Sequence, residues 1–249
     1  MARTQNPLPL RRTTILVTLL LMAITASAQD PSWTTITSFA HPGEMLSHGD
    51  YLYLATSGGL LITEGADDPG TRYVNTDGLG TSELTDVIVA DDGQIWLTGK
   101  GYVIRFDPEN PRSCPVFDNE GKLVELTCLV DDGNYLWIGS DRGLILFDKH
   151  TDGGQIEDSY GFFGSLNPNP RVNDILLTPD SIWIATSVGL ATARRTNPTA
   201  LKAPAAWTSF DPPEPQYPRF LRVTRFENKI YAGTENGFFE LRLPPAHPD

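Results

Sequence analysis

The segment Asp92-Gly93-Gln94-Ile95-Trp96-Leu97-Thr98, with Gly101-Tyr102-Val103 after it, decides the fold. An Asp-Gly turn leads into a short apolar run carrying one indole. A second turn, built on glycine, leads into another apolar run. Four further segments repeat the pattern. They are Gly49-Asp50-Tyr51-Leu52-Tyr53-Leu54-Ala55-Thr56 with Gly58-Gly59-Leu60, Gly133-Asn134-Tyr135-Leu136-Trp137-Ile138-Gly139-Ser140 with Gly143-Leu144, Asp180-Ser181-Ile182-Trp183-Ile184-Ala185-Thr186 with Gly189-Leu190, and Asn228-Lys229-Ile230-Tyr231-Ala232-Gly233-Thr234 with Gly237-Phe238. One column is aromatic: Tyr53, Trp96, Trp137, Trp183 and Tyr231, at spacings of 43, 41, 46 and 48 residues. A second column is glycine: Gly59, Gly101, Gly143, Gly189 and Gly237.

A repeat of about 40–50 residues holding several short strands is the signature of a propeller blade. The run Ile182-Trp183-Ile184-Ala185 is apolar at every position, so both faces of that strand should be buried. Blades stacked face to face around an axis supply that two-sided burial, and the aromatic ring fills the wedge between neighbours. The glycine column suits a hairpin position with positive φ, where a Cβ would clash. Apolar stretches at 84–90, 123–130, 172–177 and 220–225 read as inner strands, and 160–163 and 207–210 as outer strands. The expected fold class is all-β, a β-propeller of five four-stranded blades. Residues 33–37 resemble Trp207-Thr208-Ser209-Phe210, while the fifth repeat stops after its third strand at 241–243. The N-terminal strand is therefore expected to be the outer strand of the fifth blade, closing the ring and covering a strand edge. A segment of a six- to eight-bladed ring is the competing architecture.

Composition agrees. The 249 residues include 22 Gly and 20 Pro, and no stretch of 29–249 free of both exceeds the 14 residues of 219–232. Helix bundles and doubly wound α/β folds are excluded on that ground. Residues 1–28 carry Arg3, Arg11 and Arg12, an apolar run at 15–24, and Ala26-Ser27-Ala28 ahead of Gln29. This is the three-part pattern of a secretory signal, and the run falls short of the roughly 20 residues that span a bilayer. The expected division is a signal peptide at 1–28 and a propeller domain at 29–249, exported to the periplasm or the exterior. No second long apolar segment follows, so no membrane span is expected in the mature chain. Removal of the leader takes three of the 19 bases and none of the 31 acids. So acidic a chain is unsuited to nucleic acid or to anionic lipid, both of which call for clustered Lys and Arg.

The segment Asp77-Gly78-Leu79-Gly80-Thr81-Ser82-Glu83-Leu84-Thr85-Asp86-Val87-Ile88 leads into the repeat at 92–98. Repeat three continues with Leu136-Trp137-Ile138-Gly139-Ser140, Asp141-Arg142-Gly143-Leu144 and Phe147-Asp148. In these residues the chain resembles the two-component-regulator propeller repeat family, over nearly all of 29–249. The resemblance implies a propeller. It also implies that family's usual setting, a periplasmic sensor ectodomain or an exported surface protein.

Signals for chemistry are sparse. Asp91-Asp92-Gly93 and Asp131-Asp132-Gly133 lack the alternating ligands of a calcium loop and read as hairpin turns. His41, His48, His150 and His247 are not at ligand spacing with one another or with a Cys, so neither a metal nor another cofactor is expected. There is no G-x-S-x-G, and no spacing marks an acid pair for glycoside cleavage. Asp92-Gly93-Gln94-Ile95-Trp96 also echoes the streptogramin-cleaving propeller lyases. Those need a His–Glu arrangement around Mg²⁺, and the histidines fall outside the Trp-bearing and inner strands. The expectation is a non-catalytic module that recognises a protein or carbohydrate partner, with a propeller hydrolase or lyase as the alternative. Candidate contacts lie in the loops between second and third strands and ahead of an inner strand: Lys100, Asp141, Arg142, Arg171, Glu235 and Asn236. The Pro-rich stretch 198–218 is a second candidate surface. Cys114 maps to an outer strand and Cys128 to an inner one. That separation of several strand widths exceeds the roughly 7 Å a disulfide allows, so two unpaired thiols are expected. Mass spectrometry of the exported chain should find Gln29 at its N-terminus; a chain that retains Met1 in the exported fraction would refute the leader.

Overall fold

The computed structural model describes residues 37–151, 154–195, 197–210 and 219–241. The leader, residues 33–36, Pro212, Pro213 and Pro215 lie outside the described residues. Among the described residues nineteen strands form five antiparallel sheets. Sheet one holds β1 (Pro42–His48), β2 (Tyr51–Thr56), β3 (Gly59–Thr63) and β4 (Thr71–Tyr73). Sheet two holds β5 (Leu84–Val89), β6 (Ile95–Gly99), β7 (Tyr102–Phe106) and β8 (Arg112–Pro115). Sheet three holds β9 (Leu126–Asp131), β10 (Tyr135–Ser140), β11 (Gly143–Asp148) and β12 (Gln155–Tyr160). Sheet four holds β13 (Val172–Leu177), β14 (Ser181–Thr186), β15 (Leu190–Arg194) and β16 (Trp207–Phe210). Sheet five holds β17 (Arg222–Phe226), β18 (Lys229–Thr234) and β19 (Gly237–Leu241), three strands among the described residues. Strands follow chain order within each sheet. The first strands of consecutive sheets also touch, β1 with β5, β5 with β9, β9 with β13, and β13 with β17.

The aromatic column lies in the second strand of every sheet. Four buried clusters join the five sheets, and each holds the aromatic of one sheet and the apolar face of the next. Tyr53 packs with Leu97 and Ile104 of sheet two. Trp96 packs with Leu136, Ile138 and Phe147 of sheet three. Trp137 packs with Ile182 and Ile184 of sheet four. Trp183 packs with Ile230 and Ala232 of sheet five. The continuously apolar strands thus have an occupied face on each side.

The repeat also explains its own hydroxyl and glycine. Thr56, Ser140, Thr186 and Thr234 end the aromatic strand, and each donates its hydroxyl to the carbonyl of the column glycine three residues on, at 2.7, 2.9, 2.6 and 3.1 Å. Each hydroxyl also accepts an N–H from within the turn. Repeat two has a turn of the same length, with Gly99 opposite Tyr102 as Thr56 is opposite Gly59, and its glycine stands five residues from Trp96 because Gly101 is the second turn residue while Tyr102 holds the place of the column glycine. Four column glycines have positive φ, from 79 to 151°. Gly189 differs from the expectation. Its φ is not in the left-handed region, and glycine is needed there because a Cβ would press on Leu166 and the Phe210 carbonyl.

Two strand boundaries are also corrected. The outer strand expected at 160–163 is β12, which ends at Tyr160. The inner strand expected from 123 begins at Leu126. Residues 123 and 124 belong instead to a small hairpin, in which Phe117 bridges Leu123 and the Val124 N–H donates to the Val116 carbonyl at 3.0 Å. Both cysteines are free thiols, Cys114 half-buried on β8 and Cys128 buried on β9.

The Asp-Asp-Gly sequences are turns, as their positive-φ glycines indicate, and the second of them ties three sheets together. Asp131 accepts the Asp91 N–H of sheet two at 2.7 Å and pairs with the buried Lys149 at 2.6 Å. Burial raises the Asp131 carboxyl, but Lys149 and these N–H groups outweigh it and hold the group below the usual carboxylate range. Asp132 accepts the Trp137 indole N–H at 2.7 Å and pairs with Arg195 of sheet four at 3.1 Å. Trp137→Ala removes a buried ring and an inter-sheet wedge together. It is expected to cost about 3–5 kcal/mol of unfolding free energy, measured by urea denaturation. A loss under about 1 kcal/mol would show that the ring is not a wedge.

Candidate functional site

The inner strands of sheets two, three and four open with a two-residue step that aims a side-chain donor at the next sheet. At the first position, Thr85 Oγ1 donates to the Leu126 carbonyl at 3.0 Å, Thr127 Oγ1 to the Val172 carbonyl at 2.6 Å, and Asn173 Nδ2 to the Phe220 carbonyl at 2.8 Å. The second positions are Glu44, Asp86, Cys128, Asp174 and Arg222, as the strand registers align them. Asp86 accepts its neighbour Val87 N–H at 2.7 Å and the Leu129 N–H of sheet three at 2.8 Å. Asp174 accepts the Ile175 N–H at 3.0 Å and the Val223 N–H of sheet five at 2.8 Å. Arg222 lies 3.8 Å from Asp174 and 3.5 Å from Glu44.

These groups sense one another. Burial pushes the Asp86 carboxyl up to about 7, and the hydrogen bonds from Leu129 and Val87 oppose that rise only in part. Burial likewise raises Asp174. Cys128 is raised by burial first and by the charges of Asp86 and Asp174 second, so it stays a thiol. Each Asp86 oxygen accepts one backbone N–H, one from its own strand and one from sheet three, so the carboxyl is engaged in joining the two sheets. Among the described residues no three His, Cys, Asp or Glu side chains group as metal ligands. His41, His48 and His150 are exposed on separate elements, and His247 lies outside the described residues.

A more accessible arrangement lies at the turns between second and third strands. Lys100 pairs with Glu125 through their backbones in an isolated antiparallel β-bridge, and its ammonium forms an ion pair with Glu83 at 3.4 Å. Asp141 accepts the Glu125 N–H at 3.2 Å, and Arg171 pairs with the Glu125 carboxylate at 3.0 Å. Glu125 thus gathers three of the expected residues, Lys100, Asp141 and Arg171. Arg142 adjoins them and pairs with Asp118 at 2.8 Å. Glu235 and Asn236 are exposed in the β18–β19 turn and do not join this group. Lys100, Glu83 and Glu125 line a shallow depression with Thr85 and Ser57.

Beside Arg142 opens a groove of about 540 Å³ between the 116–124 hairpin and the outer part of sheet three. Its walls include Phe117, Ile156, Ser159 and Asn169. Phe117 is 54% exposed and Ile156 41% exposed. Asp118 holds the hairpin tip by accepting the Glu120 and Lys122 N–H groups, each at 2.8 Å. Those hydrogen bonds and Arg142 keep its carboxyl below the usual range, although burial works the other way. The hairpin is an insertion that the repeat does not predict. Its signal is Asp118-Asn119-Glu120-Gly121 between two apolar pairs, a turn sequence between short strands.

No family model matches the sequence, and no curated protein matches it. Solved structures do. The extracellular domain of the hybrid two-component system BT4673 from B. thetaiotaomicron superposes with a TM-score of 0.66 at 19% identity, over 88% of this chain and 29% of that one. PorZ, a surface component of the type-IX secretion system of Porphyromonas gingivalis, gives 0.63 at 17% identity, over 84% and 28%. Virginiamycin B lyase from Staphylococcus aureus gives 0.57 at 14% identity, over 87% and 74%. Likeness at these identities establishes an all-β, propeller-like fold. The chain spans less than a third of the first two structures. Among the described residues no helix is long and apolar enough to cross a membrane.

Asp86 ties pH to stability. Its folded value lies above that of an unfolded Asp, near 3.9, so the folded chain binds a proton that the unfolded chain has released. Its contribution is complete below about pH 4 and lost as pH climbs to about 7. The stability difference between the native chain and Asp86→Asn should therefore shrink between pH 4.5 and 7, at a slope of at most roughly 1.4 kcal/mol per pH unit. Thermal melts of both chains test this, and parallel curves would refute it.

Proposed function

We propose that this chain is an exported, non-catalytic propeller of the two-component-regulator repeat type that works as a recognition module. In this reading it has five blades, and residues 33–37 supply the outer strand of the fifth. The groove between the 116–124 hairpin and sheet three carries the reading. An exposed aromatic ring stands there beside a guanidinium, an amide and a hydroxyl, the mixture of apolar anchor and polar rim that binding sites use. Lys100, Asp141 and Arg171 extend the surface towards the axis. The partner is a protein or a carbohydrate. The extracellular setting of BT4673 and the surface location of PorZ support export.

The buried acids Asp86 and Asp174 favour a second reading, a propeller hydrolase or lyase, because their carboxyls are raised in the way catalytic acids are. Their engagement with backbone N–H groups weighs against it. The two readings separate in one experiment. The purified chain is immobilised and challenged with the exported proteins of its source and with a glycan panel, while the panel is followed for cleavage. Retention of a ligand that weakens about tenfold or more in Phe117→Ala and in Arg142→Ala, without cleavage, is the expected result. Cleavage that is lost in Asp86→Asn would establish the enzyme instead.

A further inference from the structure

Five sheets make four buried interfaces among the described residues, which leaves one face of sheet five and one of sheet one without a core. Strand register identifies both. In sheet five, Tyr231 and Phe238 share a face, as do Thr224 and Phe226. Tyr231 stands in the aromatic column, whose other four members are buried. Phe238 stands where Leu60, Val103, Leu144 and Leu190 stand in the other sheets, all fully buried, yet it is 75% exposed. In sheet one the opposite face carries Met45, Leu52, Leu54 and Leu61. Met45 is the counterpart of Val87, Leu129, Ile175 and Val223, all buried, and it is 59% exposed. Leu54 is the counterpart of Leu97, Ile138, Ile184 and Ala232, each of which shares a cluster with the aromatic of the preceding sheet.

We infer that these two faces belong to one another: Tyr231 and Phe238 of sheet five enter a socket of Met45, Leu52, Leu54 and Leu61 on sheet one of the same chain, forming a fifth inter-sheet core. The inference rests on the five-bladed reading above and names the side chains that complete it. The same chain is the occupant because Arg222 of β17 already reaches Glu44 of β1 at 3.5 Å, at the inner edges of both faces. That contact brings the inner edges of sheets five and one of this chain together at the axis. The seam also has a different make-up from the three that carry side-chain donors. Leu221 replaces the side-chain donors Thr85, Thr127 and Asn173, and Arg222 replaces the carboxylates Asp86 and Asp174. An ion pair at the axis and the side chains named above hold it.

A double-mutant cycle on the full chain tests this, with Tyr231→Ala, Leu54→Ala and the double variant followed by urea denaturation, and with sedimentation to read the oligomeric state. Met45→Ser and Phe238→Ser form a milder second cycle in case the first variants fold poorly. The expected result is a monomer in which each single change lowers the folding constant at least about fivefold, and the double change lowers it by clearly less than the product. Independent effects in both cycles would overturn the inference. So would a dimer that Phe238→Ser dissolves, because the socket would then be a second copy's. All variants keep Trp33 and the groove, so a failed ligand assay or a misplaced outer strand leaves this readout unaffected.

Discussion

Among the described residues neighbouring sheets share no hydrogen-bond ladder, and that constraint governs how the rest is built. Each inner strand faces the axis with backbone groups that its own sheet cannot satisfy, and an unpaired buried N–H or C=O costs about as much as a lost hydrogen bond. The chain answers with side chains. Thr85, Thr127 and Asn173 supply donors to the carbonyls of the next inner strand, and Asp86 and Asp174 supply acceptors to its N–H groups. A carboxylate with a raised pKa is the consequence of burying an acceptor strong enough for this task. The same feature that resembles a catalytic acid is accounted for by architecture, because the cross-sheet N–H needs a partner whether or not a substrate exists.

The aromatic wedges and the axial latches act at different radii. Near the axis the sheets are close enough for hydrogen bonds. Farther out they diverge, and rings such as Trp96 against Phe147, with centroids 5.9 Å apart, fill the widening gap. At the far ends of the strands, Asp131 and Asp132 reach sheets two and four at once. Each interface is thus fixed by contacts at several depths, and register within a sheet is tied to position between sheets. A large ring in the column fills the gap only if the glycine-bearing turn and the hydroxyl that knots it set the following strand at the right height.

Much of this was legible in the sequence because it repeats. Tyr53, Trp96, Trp137 and Trp183 announced themselves by spacing, and they are the buried wedges. The latch column was harder to see, since Glu44, Asp86, Cys128, Asp174 and Arg222 share neither charge nor size. What they share is a place on the strand, and only register reveals it. The strand at 160–163 was misplaced because Gly161-Phe162-Phe163 is apolar enough to pass for a strand, whereas the ladder with β11 runs through Gln155–Tyr160 and ends there. Of the expected contact residues, Lys100, Asp141, Arg142 and Arg171 cluster because their turns are neighbours on successive sheets. Glu125, which gathers three of them, carries no mark in the sequence that sets it apart from other loop charges.

The hairpin at 116–124 shows where a repeat gives way to something individual. The linkers between outer and inner strands need only cross from one sheet to the next. This one folds back on itself, holds its tip with Asp118, and exposes Phe117 beside Arg142. A solvent-facing Phe adds nothing to the core of a repeat protein, while the guanidinium beside it is held in place by a nearly buried carboxylate. Packing between sheets two and three does not require that combination, since Leu126, Leu136, Ile138 and Phe147 already complete the core around Trp96. The axial acids have a structural task that uses both their oxygens, and the hairpin has none that uses its ring. That difference in unspent chemistry is the reason to look for a ligand at the groove and not at the axis.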